Sequence, residues 1–71
     1  MDKVTIAVLD LLMNEDRPWA IDEMVREIGD RIETVDALAD LHGSGLVNRI
    51  GEDFVLASRA ALRAHAMQQE A

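Results

Sequence analysis

The chain has 71 residues, no cysteine and a formal net charge of −7. A chain of this length makes one domain and buries only about 60% of its unfolded surface, and the lack of cysteine excludes disulfides, iron–sulfur clusters and thiolate zinc sites. The acid excess works against long-range attraction to nucleic acid, because phosphate affinity comes from lysine and arginine.

The first predicted helix covers residues 3–13. Val4, Ala7, Val8, Leu11 and Leu12 recur at helical spacing, and Asp2 precedes them as an N-cap. Ile6, Leu9 and Met13 form a second apolar stripe. A surface helix needs only one such stripe, so burial on two sides is expected. Asn14 to Pro18 is a polar break ending in proline. Trp19-Ala20 reads as a very short extended piece, with the indole closing one end of the core.

A second helix is predicted over residues 21–28, with Ile21, Met24, Val25 and Ile28 as its apolar stripe. Asp22 and Glu23 suit the positive end of its dipole, and Gly29 closes it. The third helix starts after Asp30, an N-cap with Glu33 three residues on, as in a capping box. Its inward stripe reads as Ile32, Val35, Leu38 and Leu41, and His42-Gly43-Ser44-Gly45 ends it. Residues 46–50 and 53–57 then read as two strands around Gly51-Glu52. Asp53 either begins the second strand or completes a three-residue turn. Ser58 is the expected N-cap of a last, alanine-rich helix over 59–69.

The predicted order is helix, short strand, helix, helix, strand, strand, helix. The fold class is mainly α with a small antiparallel β-hairpin. Two short helices joined by a tight glycine-containing turn, about residues 21–42, are a helix-turn-helix unit. The sequence holds no H-E-x-x-H spacing, nucleophile–base set or glycine-rich phosphate loop, and His42 and His65 stand alone. No enzyme activity, metal or cofactor is therefore expected. No apolar run approaches the roughly 20 residues that span a bilayer, and the N-terminus lacks the basic region of a signal peptide. A cytoplasmic protein without membrane association is the expectation.

Residues 19–56 resemble bacterial winged helix-turn-helix transcription regulators. The resemblance rests on Trp19 to Gly29 as the second helix, and on Leu41, Gly45-Leu46-Val47 and Arg49 after the third. That pattern recurs in the multiple-antibiotic-resistance regulators, the arsenic-repressor class and the padR-like regulators. The resemblance implies a single domain over 1–71, with a wing at about 46–57 and a C-terminal helix at about 58–69. In such regulators the third helix enters the major groove and the wing touches phosphate. Carried onto this chain, that makes Arg31, Thr34 and Arg49 the candidate DNA contacts. The outward face of the third helix would carry Glu33, Thr34, Asp36, Ala37 and Asp40, three of them carboxylates.

Two functions follow as expectations. One is a dimeric transcription-regulator-like module that contacts DNA through Arg31, Thr34 and Arg49. The other is a protein-interaction module whose acidic face, Glu33, Asp36 and Asp40, binds a basic partner. For a homodimer, the second stripe of the first helix (Ile6, Leu9, Met13) would join Leu62 and Met67 of the last helix in the interface.

Overall fold

The computed structural model describes residues 2–70, and the side chains of all of these except 65 and 67–70. Met67, expected at a dimer interface, and His65 lie outside the described side chains. The elements are α1 (Lys3–Asn14), β1 (Trp19–Ala20), α2 (Ile21–Ile28), α3 (Arg31–Gly43), β2 (Val47–Ile50), β3 (Phe54–Ala57) and α4 (Arg59–Glu70). The chain is mostly helical, with one three-stranded antiparallel sheet in the order β1-β3-β2. No helix among the described residues is long and apolar enough to cross a membrane.

Each helix begins where a short polar side chain or the hairpin loop takes up a free amide. The Asp2 carboxylate accepts from the Thr5 amide at 2.8 Å and opens α1. The Asp30 carboxylate accepts from the Glu33 amide at 2.9 Å and opens α3. The Ser58 hydroxyl accepts from the Ala61 amide at 3.1 Å and opens α4. At the start of α2, Ala20 makes no side-chain cap; instead the Ile21 amide donates to the Asp53 carbonyl of the hairpin loop at 2.8 Å. Gly29 ends α2 at φ 94°, a left-handed conformation that costs glycine little, and its amide reaches the Val25 carbonyl at 2.7 Å.

The hairpin has a three-residue loop. Ile50 pairs with Phe54, so Asp53 belongs to the turn, and Gly51 supplies the positive φ. Side chains alternate across this small sheet. Val47, Val55, Ala57 and Trp19 are buried on its inner face. Asn48, Ile50 and Phe54 are exposed on the other. The two apolar ones, Ile50 and Phe54, are cross-strand partners.

The core joins Val8 and Leu12 of α1, Trp19, Met24 of α2, Ala37, Leu38 and Leu41 of α3, the inner sheet face and Ala61 of α4. Leu9, Met13 and Leu62, expected at an interface between subunits, are partly buried against this core. Ile6 is the member of that set left 47% exposed.

The inward face of α3 differs from the expected one. Thr34 and Ala37 are buried beside Leu38 and Leu41, while Ile32 is 75% exposed and Val35 45%. The buried set follows i, i+3, i+4, i+7, a standard inward stripe. Leu38 and Leu41 belong to both stripes, so hydropathy alone favours the larger Ile32 and Val35. Packing favours small residues instead, where α3 runs against α1. Burying Thr34 leaves no orphan, because its hydroxyl donates to the Asp30 carbonyl at 2.6 Å.

Candidate functional site

The surface in question is the outward side of α3 together with the hairpin. The buried stripe of α3 (Thr34, Ala37, Leu38, Leu41) sets what lies to either side of it. Toward the sheet, Val35, Ala39 and His42 line a groove of about 160 Å³ with Ile21, Leu38, Arg49 and Val55. Toward the start of α1, Glu33, Asp36 and Asp40 line a second groove of about 460 Å³ with Asp2, Lys3 and Val4. Ile32, the most exposed large apolar residue of the protein's described part, stands between these two flanks by its helical position.

The three candidate DNA contacts separate in the structure. Arg31 is exposed, but its Nη2 donates to the Asp22 carboxylate at 3.0 Å, so its charge is partly neutralised by α2. Arg49 is exposed on β2 at the rim of the apolar groove and makes no ion pair among the described residues. Thr34 requires correction. It is fully buried and its hydroxyl is bound to the Asp30 carbonyl, so it presents nothing to a groove of DNA. Ala37, also expected outside, is buried at the α1 side.

The three acidic candidates do come together. Glu33, Asp36 and Asp40 are all exposed and share one groove, and Asp2 joins them from α1. Asp2 titrates below the ordinary carboxylate range, chiefly because the Thr5 amide donates to its charged form. It therefore adds a further negative charge at neutral pH. Lys3 is the cation lining this groove.

A second polar cluster has no counterpart in the sequence-based expectations. Arg17 donates to both oxygens of Glu23, at 3.1 and 3.0 Å, and its guanidinium carbon lies 4.1 Å from the centre of the Trp19 ring. The Trp19 indole N–H donates to the Glu15 carbonyl at 3.2 Å. Arg17 thus stacks on the indole while gripping α2, which holds the Pro18 turn against the core. The pair holds Glu23 below the usual carboxylate range. This cluster accounts for two arginine-bonded carboxylate oxygens and a buried indole by structural bonding alone. Among the described residues, no buried side-chain polar atom lacks a partner and no group of acids and histidines could hold a metal ion.

No family model, characterised protein or solved structure matches this chain. Its chemistry therefore has to be read from its own surface.

Proposed function

We propose that the chain is a winged helix-turn-helix module of the kind used by bacterial transcription regulators, acting in the cytoplasm as a homodimer. The observation that carries this reading is the arrangement around α3. Two short helices meet at the Gly29-Asp30 turn, and a hairpin follows whose inner strand also pairs with β1, in the order β1-β3-β2. This is the layout in which such regulators present a recognition helix beside a wing. Arg49 on the wing and Arg31 at the start of α3 are its contacts to phosphate. Ile6 supplies the exposed apolar contact of the dimer, supported by Leu9, Met13 and Leu62. A small core of this size gains stability from a partner subunit. The reading assigns the protein no catalytic role and no cofactor.

The test is fluorescence anisotropy on mixed-sequence duplex DNA at low and moderate salt, with light scattering on the same sample. Binding that weakens steeply with salt is expected, and Arg49→Ala should reduce the slope by about one counterion. Failure to bind at tens of micromolar in low salt would remove direct DNA contact. A species of one chain's mass at high concentration would remove the dimer.

A second reading is favoured by a specific observation. The side of α3 that would face phosphates carries Glu33, Asp36 and Asp40 in one groove with Asp2, and Arg31 is already paired to Asp22. Phosphate oxygens brought to this edge meet carboxylates. On this reading the same fold serves as a protein-interaction module whose acidic α3 face binds a basic partner.

A further inference from the structure

Resting on this second reading, we infer that α3 and the hairpin form a docking groove for a basic amphipathic helix of a partner protein. Ile32, Val35 and Ala39 stand at i, i+3 and i+7, with His42 at i+10, so they form a single stripe along α3. Scattered apolar residues on a surface need no explanation. Here, however, Ile32, 75% exposed, and Val35, 45% exposed, are neighbours on one stripe. The stripe runs into the groove floored by Ile21, Leu38 and Val55. At about 160 Å³ that groove is well below the roughly 300–1,000 Å³ of small-molecule sites, and it suits one or two side chains of a partner. An apolar groove beside an apolar helical stripe is met by a helix with anchors at i, i+3, i+4 and i+7.

Charge selects which helix. The edge of the stripe toward α1 is acidic, with Glu33, Asp36 and Asp40 facing Asp2 across the second groove. The edge toward the sheet carries Arg49. The matching helix is apolar along its centre and rich in lysine or arginine on one flank. A carboxylate on its other flank meets Arg49 and fixes its direction. A second copy of this chain fits poorly, because it brings its own charge of −7 to an acidic edge. Duplex DNA fits poorly as well, because its phosphates would meet the carboxylates of Glu33, Asp36 and Asp40 beside the exposed Ile32.

The probe is a labelled synthetic helix with leucines at i, i+3, i+4 and i+7, lysines along one flank and a glutamate on the other. Its anisotropy is measured with the full chain at low salt. The same titration is run with the I32S/V35S and D36N/D40N variants, and with unlabelled duplex DNA as competitor. All four substituted side chains are exposed, and circular dichroism checks that each variant keeps its fold. The expected result is saturable binding, weakened about tenfold or more by I32S/V35S. D36N/D40N should weaken binding too and flatten its dependence on salt. If D36N/D40N abolishes binding while I32S/V35S leaves it unchanged, the groove is not a docking site, although the acidic-interaction reading survives. If the helix fails to bind, or binds equally to all variants, both fall. Displacement of the helix by duplex DNA that itself binds would assign the face to nucleic acid and overturn the inference.

Discussion

The two sides of α3 are sorted by position on the helix rather than by residue size. Its inner side buries a threonine and an alanine beside Leu38 and Leu41, while its outer side leaves an isoleucine and a valine exposed. On the inner side α3 packs against α1, and Ala37 lines a groove there with Asp2, Lys3 and Val4. The second pair lies outside the core cluster.

The comparison can be broken by substitution, and the largest effect belongs to the shared inner stripe. Leu41→Ala removes a fully buried side chain and should cost about 2–5 kcal/mol, much of the stability a domain of this size holds. The urea midpoint of the variant measures it. Ala37→Leu tests the close approach itself. Overpacking there should cost about 1–3 kcal/mol, and a neutral result would show that α1 and α3 have room to spare. Ile32→Ser and Val35→Ser lie at the other extreme. Each should shift stability by less than about 0.5 kcal/mol despite the loss of a large apolar group. A drop comparable to that of Leu41→Ala would mean that the outer stripe is part of the core after all.

The smallest expected effect is electrostatic and appears only in acid. Asp2 and Glu23 both titrate below their ordinary values, the first through the Thr5 amide and the second through the Arg17 guanidinium. Carboxyls depressed in the folded state stabilise it above their unfolded pKa and lose that contribution as pH falls through the lowered values. Thermal melts should therefore be level from neutral pH down to the usual carboxylate range and decline below it. Glu23→Gln should flatten part of that decline. A melt series for Glu23→Gln that superimposes on the parent's below pH 4 would exclude the Arg17 pair as a source.

Local chemistry made most of the architecture legible in the sequence. Asp2, Asp30 and Ser58 are caps because a short polar side chain before an apolar run has orphan amides within reach. Gly29 and Gly51 mark turns because each has a positive φ. The element order follows from these signals, while the hairpin register, left open between two readings by the sequence, is set by the pairing of Ile50 with Phe54. The α3 stripe was not legible, because Leu38 and Leu41 fit two registers and only packing against the rest of the fold chooses between them. Of the candidate contacts, Arg31, Arg49 and the three acids are exposed as expected, while Thr34 is not. Its hydroxyl finds a carbonyl four residues back, an alternative that any threonine in a helix has. The Arg17–Trp19–Glu23 cluster has no sequence signature, since the turn at Pro18 alone brings Arg17 onto the indole and within reach of α2.

Ser58 joins the end of the hairpin to the start of α4. Its amide donates to the Leu46 carbonyl at 3.0 Å and its hydroxyl to the Gly45 carbonyl at 2.8 Å, at the mouth of the hairpin. Its own oxygens take the first amides of α4, from Ala61 at 3.1 Å and from Leu62 at 3.0 Å. The unfavourable step in making a helix is its first turn. In this chain the residue that closes the hairpin also holds that turn in place. The end of the hairpin and the first turn of α4 thereby share one side chain, so Ser58→Ala would remove both the helix cap and the side-chain tie to Gly45 at once.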